Sequence, residues 1–292
     1  MRARVVRWSV AAILVGGAAV GWAGGRCHVM IANDDGIDAP GIEALARVIA
    51  ADPSYRVTVV APAQQQSGVG HALTLRELIR VEPHAKVGGA PAWAVDATPA
   101  TTVRVGIDTV LADDRPDIVL SGINRGENVG LSDWYSGTLG AAREATVLGV
   151  PAIAFSLGLD WGDPHPDFTA AARWVKPLLD AVRDGGLPRG VLLNVNIPKD
   201  PGSARGYRLT RSSLAADLAT RYEVVRQEDG VRWLVGHWSP PSETDPTTDA
   251  AALADGWVTI TPLNLDQTDY RAFPALDRLM SLNKALPTAP GK

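Results

Sequence analysis

Residues 27–36 have the sequence CHVMIANDDG, in which an apolar segment ends at a polar turn. A short apolar segment followed by such a turn predicts a buried β-strand over 27–32. Pro40 suits the first turn of a helix, and apolar residues recur at helical spacing after it. The folded part of the chain is therefore expected to begin with a strand, a loop and a helix. The loop carries two adjacent carboxylates, Asp34 and Asp35.

The same alternation of apolar strands and amphipathic helices continues as far as about residue 200. Apolar strands that alternate with helices indicate a parallel sheet covered on both faces. We therefore predict an α/β fold with a Rossmann-like, doubly wound, mostly parallel sheet. The further predicted strands are 56–61, 117–120, 151–155 and 191–195, and the further predicted helices are 98–111, 137–148 and 168–182.

The pattern changes beyond about residue 200, where tryptophans, prolines and short alternating segments follow one another. The segments 233–238 and 257–260 predict β-hairpin strands, and a helix is expected near 270–283. We interpret this part as an arm or subdomain of a single domain. The expected boundaries are 24–292 for the whole domain, about 27–200 for its core and about 201–292 for the C-terminal arm.

Charge and cysteine content narrow the classes of function. The net charge is −4, so no basic surface favours a nucleic acid polymer as partner. The only cysteine, Cys27, can form neither an internal disulfide nor a zinc cluster. An anionic substrate would therefore be bound by local features, namely a metal ion, helix N-termini or a few arginines.

The N-terminal segment resembles a secretory signal peptide. Three arginines precede an uncharged, mostly small or apolar stretch over 8–23, which ends in small residues suited to cleavage after Ala23. We expect an exported, periplasmic protein without stable membrane association after cleavage. Two alternatives stay open: an uncleaved membrane anchor, and a start codon assigned upstream of a cytoplasmic protein.

Ligands of open α/β sheets bind beyond the carboxyl ends of the strands, and several polar residues are predicted to lie there. They are Asp34, Asp35, Ser67, Asn124 and the segment 136–138, which is Ser-Gly-Thr at a helix start. Carboxylate, hydroxyl and amide oxygens suit Mg²⁺, Mn²⁺ or Ca²⁺. A helix N-terminus presents N–H groups to a phosphate. Each feature alone is typical of a turn or a helix cap, but their combination favours a metal and phosphate site.

Four blocks of sequence, in order along the chain, resemble the SurE family of stationary-phase survival proteins, and the resemblance extends from residue 29 to about 263. The blocks are IANDDGIDAPGI at 31–42, VVAP at 59–62 with SGVGHALTL at 67–75, PDIVLSGINRGENVG at 116–130, and YSGT at 135–138.

The resemblance implies a metal-dependent nucleotidase that hydrolyses nucleoside 5′-monophosphates, and 3′-monophosphates in many members. It also implies a Rossmann-like core with a swapped C-terminal arm that joins homodimers or homotetramers. One divalent ion, Mg²⁺ or Mn²⁺, is expected. The metal ligands carried over are Asp34, Asp35, Ser67 and Asn124, the catalytic residues are Asp34 and Asp35, and the phosphate-binding residues are Asn124, Ser136, Gly137 and Thr138.

The sequence therefore predicts a phosphomonoesterase, with water favoured over an aspartate as the nucleophile. The alternative is an exported nucleotide- or phosphate-binding protein that has lost turnover. Its support is the segment 97–102, which is ATPATT where the family has Gly-Thr-Pro-x-Asp-Cys. A haloacid-dehalogenase-type phosphatase is disfavoured, because that chemistry needs acids two residues apart. His71 is either a group that assists the site or a loop histidine without a role.

Overall fold

The computed structural model describes residues 25–160, 162–215, 218–239 and 242–284. The predicted signal peptide, residues 1–23, lies outside these ranges. A nine-stranded sheet has the order β3-β4-β2-β1-β5-β6-β7-β11-β8, and a second sheet pairs β9 with β10. The strands are β1 (Cys27–Ala32), β2 (Tyr55–Pro62), β3 (Val81–Val87), β4 (Ala90–Val95), β5 (Ile118–Arg125), β6 (Ala152–Leu157), β7 (Val191–Ile197), β8 (Tyr207–Leu209), β9 (Leu218–Glu228), β10 (Val231–Ser239) and β11 (Val258–Asn264).

The large sheet is mostly parallel, and only the pairs β3–β4 and β7–β11 run antiparallel. Its central strand β1 is buried along its whole length, which explains the continuous apolar sequence. The prediction of an α/β, Rossmann-like, mostly parallel sheet is confirmed. The helices are α1 (Pro40–Ala50), α2 (Pro99–Val105, continued by a π-helical turn at Gly106–Val110), α3 (Gly137–Val147), α4 (Phe168–Ala172), α5 (Val175–Gly185), α6 (Asp249–Ala254) and α7 (Phe273–Leu276).

Helices cover both faces of the large sheet, and each face has its own apolar core. Helices α1, α4 and α5 pack on one face, where Ile42 and Leu179 are fully buried. Helices α2 and α3 pack on the other face, where Val103 and Leu139 are fully buried. None of the helices within the described ranges combines the length and the apolar composition needed to cross a membrane.

Three segments differ from the sequence predictions. The strand predicted over 117–120 continues through Ser121 to Arg125, with one extra residue relative to β6 between Ser121 and Asn124. The single helix predicted over 168–182 is two helices, because Pro177 has no N–H for an i→i−4 bond and instead lies in the first turn of α5. The hairpin of β3 and β4 was not predicted at all.

The region beyond residue 200 is divided between the sheet and an arm. Strands β8 and β11 join the edge of the large sheet, so the prediction that 257–260 forms a hairpin strand is wrong. Strands β9 and β10 form the separate two-stranded hairpin. Short helical turns follow over 270–284, where a helix was expected. Exposed apolar side chains are frequent in the hairpin, among them Tyr222, Val225 and Leu234.

Candidate active site

The carboxyl ends of β1, β2 and β5 meet the N-terminus of α3 at one edge of the large sheet. Asp34 and Asp35 follow β1, as predicted, and the loop after β2 packs directly against them. The backbone N–H of Gln66 in that loop donates to the Asp34 carbonyl oxygen at 2.7 Å. The first two loops of the fold are therefore fixed to one another beside the carboxylate pair.

Asp34 is buried and held from the side of α3. Its Oδ1 accepts a hydrogen bond from Thr138 Oγ1 at 2.5 Å. Gly137 allows this approach, because a Cβ at that position would lie 2.8 Å from Asp34 Oδ2. Burial, together with the charge of Asp35, raises the pKa of Asp34 to about 7, and the hydrogen bond from Thr138 opposes this rise.

Asp35 is half-buried, and its Oδ2 accepts the backbone N–H of Arg125 at 2.9 Å. Burial also raises the pKa of Asp35. The neighbouring Asn124 donates through Nδ2 to the carbonyl oxygen of Gly126 at 2.8 Å, and this bond orients the amide. Its Oδ1 has no hydrogen-bond donor among the described residues, so this oxygen remains available to a ligand.

These residues fit a hard divalent cation. Asp34 and Asp35 are adjacent carboxylates, and burial raises the pKa of both. The charge of Asp35 adds to the rise at Asp34, and Arg125 opposes the rise at Asp35. No lysine, arginine or histidine in the described ranges forms an ion pair with either carboxylate. Together with the amide oxygen of Asn124, Asp34 and Asp35 provide the oxygen donors that Mg²⁺ and Mn²⁺ prefer. The assignment of these residues as ligands stays a prediction.

The other predicted site residues lie in the loop after β2 and at the start of α3. Ser67 is exposed; its hydroxyl accepts Gln65 Nε2 at 3.3 Å and forms no hydrogen bond with either carboxylate. Ser136 caps α3, since its Oγ accepts the N–H of Leu139 at 3.1 Å. The hydroxyl of Thr138 is used to orient Asp34. The side chains of Ser136 and Thr138 thus have structural partners, and their predicted role towards phosphate depends on the helix N-terminus itself.

A charged cluster on the far side of the loop after β2 was not predicted. His71 Nε2 lies 2.8 Å from Oε2 of the buried Glu144 on α3, and Arg104 on α2 pairs with the other oxygen of Glu144. His71 therefore has a partner, which favours a supporting role over that of an unattached loop histidine. The feature of the sequence that points to this cluster is Glu144, the one acidic residue of helix α3.

A buried polar network on the other side of α3 was also missed. Asn194 Nδ2 donates to Asp133 Oδ1 at 3.0 Å, and Asn196 Oδ1 accepts the N–H of Asn128 at 2.7 Å. Asp249 accepts the N–H of Gly130 at 3.0 Å and two further backbone N–H groups. This network fixes the loop between β5 and α3. Its signal is present in the sequence VLLNVNI at 191–197, where two asparagines point to one face of an apolar strand.

The fold and the site define a doubly wound α/β protein with an acidic, oxygen-rich site at the carboxyl edge of its sheet. The family model described as "Survival protein SurE" matches residues 29–217. The chain belongs to the SurE family.

Relatives of known name cover most of the chain. The protein named 5′-nucleotidase SurE of Desulfatibacillum aliphaticivorans is 40% identical over 249 residues, which are 83% of this chain and 94% of the relative. 5′-Nucleotidase SurE 1 of Thermus thermophilus is 41% identical over 261 residues, 87% of this chain and 98% of the relative. The crystal structure of the SurE protein from Aquifex aeolicus has a TM-score of 0.73 at 33% identity, covering 87% of this chain and 99% of that one.

Proposed function

We propose that this protein is a metal-dependent phosphoric monoester hydrolase that converts nucleoside 5′-monophosphates to nucleoside and phosphate. The observation that carries the proposal is the buried carboxylate of Asp34, which lies beside Asp35 and against the first turn of α3. The relatives named 5′-nucleotidase support the substrate class. A 3′-monophosphate offers the same monoester group to this site, so we propose it as a second substrate.

Asp34, Asp35 and Asn124 would hold one Mg²⁺ or Mn²⁺ ion, with Ser67 as a further ligand from the loop after β2. Such an ion would polarise the phosphoryl group and stabilise the charge of the transition state. Thr138 and the N–H of Arg125 orient the two carboxylates, as second-sphere hydrogen bonds do in metal sites.

The N-terminus of α3 would bind the phosphate through backbone N–H groups at Gly137 and Thr138. We propose water as the nucleophile, since both carboxylates are needed for the cation. Its oxygen forms a bond to phosphorus as the bond to the ester oxygen breaks, and the leaving nucleoside takes up a proton.

The alternative of a binding protein without turnover loses its main support. It relied on the segment 97–102, which departs from the family pattern. Thr101, at the position of the family's acid, accepts the N–H of Thr74 at 2.8 Å, and Thr98 donates to the carbonyl oxygen of Ala72 at 2.7 Å. These two hydroxyls therefore tie the start of the helix to the loop after β2.

The direct test is an assay of the purified protein with a panel of nucleoside monophosphates. We expect phosphate release that EDTA abolishes and that Mn²⁺ or Mg²⁺ restores. Asp35→Asn and Asn124→Ala should each abolish turnover while leaving the circular dichroism spectrum unchanged. Activity that persists in EDTA would reject the metal, and activity retained in either variant would reject the site. A protein that binds nucleotides without releasing phosphate would match the alternative.

We further propose export and self-association. Export relies on the sequence of residues 1–23 and is tested by the mass of the periplasmic protein, which should begin at Gly24. Assembly into a homodimer or homotetramer is supported by the exposed apolar side chains of the β9–β10 hairpin. Light scattering of the purified protein decides this point, and a monomer at micromolar concentration would reject it.

A further inference from the structure

A pocket of about 370 Å³ opens beside the carboxylate pair. The segment 35–41, from Asp35 to the start of α1, forms part of the lining, and the loop after β2 forms another part through residues 63–65. Arg125 and Phe168 complete the lining. The volume lies within the range of about 300–1,000 Å³ that is typical of sites for small organic ligands.

The pocket continues the candidate active site on one side only. Asp34 is closed off by Gly137 and Thr138 on α3, and it is almost completely buried. Asp35 is half-buried and contributes to the pocket lining. A phosphate ester held by a cation at the two carboxylates would therefore extend its organic group past Asp35, where there is open space.

The lining combines apolar walls with unused polar groups. Pro40 and Ala63 provide accessible apolar surface, and the almost completely buried Ile37 and Phe168 also contribute to the lining. The side-chain amide of the exposed Gln64 has no hydrogen-bond partner among the described residues, so its donor and acceptor are free. The guanidinium of the exposed Arg125 forms one long hydrogen bond, 3.3 Å to the carbonyl oxygen of Asp163. Amide and guanidinium groups match the donors and acceptors of a base edge and of ribose hydroxyls.

We propose that this pocket is the nucleoside subsite and that Gln64 and Arg125 hydrogen-bond the nucleoside bound in it. The inference rests on the proposed function and adds the place and the contacts of the organic half of the substrate. It predicts that changes in the pocket weaken nucleoside binding without altering phosphate binding at the carboxylates.

Two variants test the subsite. Ala63→Leu fills the pocket, and Gln64→Ala removes a polar contact without adding bulk. Gln267→Ala is the control, because it truncates an exposed glutamine outside the pocket lining. With Mn²⁺ present, Ala63→Leu should raise the KM for nucleoside 5′-monophosphates about tenfold and Gln64→Ala about fivefold. The inhibition constant of inorganic phosphate should stay within about twofold of the wild type in both.

The outcomes separate the subsite from the proposed function. A KM unchanged in both variants would overturn the subsite, and so would a phosphate inhibition constant that rises in parallel with the KM. If Ala63→Leu fails to fold, Gln64→Ala decides alone. If the wild type hydrolyses no nucleotide, the proposed function fails, and calorimetry with adenosine still decides the subsite. If the wild type binds adenosine and Gln64→Ala binds it more weakly, the subsite is supported. If the wild type does not bind adenosine, the subsite is overturned.

Discussion

Two buried carboxylates, Asp34 and Asp133, lie near the N-terminus of α3, and their surroundings differ. Asp34 lies beside a second carboxylate, Asp35, which accepts the N–H of the residue that follows Asn124. Asp133 accepts the amide of Asn194 within a hydrogen-bonded network. Burial raises the pKa of both, to about 7 for Asp34 and about 8 for Asp133, and a neighbouring aspartate adds to each rise.

The fold tolerates the burial of a carboxylate in two ways. At Asp133 the carboxyl can remain protonated at neutral pH, since its raised pKa exceeds 7 and a neutral acid can be satisfied by hydrogen bonds. At Asp34 the negative charges of two adjacent carboxylates are best compensated by a cation. A buried acid beside a second carboxylate therefore does not by itself mark a metal site. Asp249, beside Asp133, accepts three backbone N–H groups, whereas Asp35, beside Asp34, accepts one.

The largest loss of activity is expected from the replacement of Asp34, which is compared with the replacement of Asp133 in a separate variant. Asp34→Asn should lower kcat/KM for nucleotides by about 10³-fold or more, because a charged metal ligand is lost. It should also abolish the rise in Tm that Mn²⁺ causes in the wild type. Asp133→Asn should keep the kcat/KM of the wild type and its rise in Tm with Mn²⁺. Equal losses of activity in the two variants would remove the proposed distinction between a metal site and a structural network.

The next effect concerns the close approach of α3 to Asp34. Gly137→Ala should reduce kcat/KM about 100-fold, because the added Cβ would lie 2.8 Å from Asp34 Cβ and Oδ2 and must displace the carboxylate. Gly185→Ala is the matched control, since nothing lies within 4 Å of the Cβ that it would add at the end of α5. Full activity in Gly137→Ala would show that the position of Asp34 is not critical.

The sequence predicts the position of Asp34 at the sheet edge, but it does not predict the network around Asp133. The strand before Asp34 is a continuous apolar segment, and its end at a polar turn locates the two carboxylates at the sheet edge. The importance of Asp133 depends on Asn194 and Asp249, which are distant in sequence and approach it only through the sheet order. Long-range pairing of this kind leaves little local signal, apart from the alternating asparagines of β7.

Similar reasons explain the errors in the strands. Small and polar residues such as Ser121 and Gly122 usually terminate a strand, yet β5 continues past them with an extra residue. The β3 strand is an edge strand with exposed and half-buried residues and contains Pro83, so it lacks the apolar pattern of the central strands. The buried interior strands are predictable from the sequence, because most residues along them are apolar.

A smaller effect is expected from the hydroxyl that orients Asp34. Thr138→Val should lower Mn²⁺ affinity or kcat/KM between about 10- and 100-fold, as the loss of a second-sphere hydrogen bond does at other metal sites. Thr146→Val is the control, because it removes a buried hydroxyl from the same helix that bonds only to the carbonyl oxygen of Ala142. Comparable losses in both variants would indicate that helix stability, not the orientation of Asp34, is responsible.

The last effect is on stability instead of activity, and it isolates the second carboxylate. The folded pKa of Asp133, about 8, exceeds its unfolded value of about 3.8. The stability that this carboxyl contributes is therefore fully present below the unfolded pKa and is lost as the pH rises through the folded pKa. Asp133→Asn removes the titrating group and keeps an oxygen that can accept the amide of Asn194.

Urea unfolding of the wild type and Asp133→Asn between pH 5 and 9 measures this contribution. The free energy of unfolding of the variant should rise relative to the wild type with increasing pH, by at most about 1.4 kcal/mol per pH unit, and level off above pH 8. Both proteins retain Asp34 and Asp35, so the titration of the metal site cancels in the difference. A difference that is independent of pH would mean that Asp133 is ionised in the folded protein, and its network would then require a cation as the Asp34 site does.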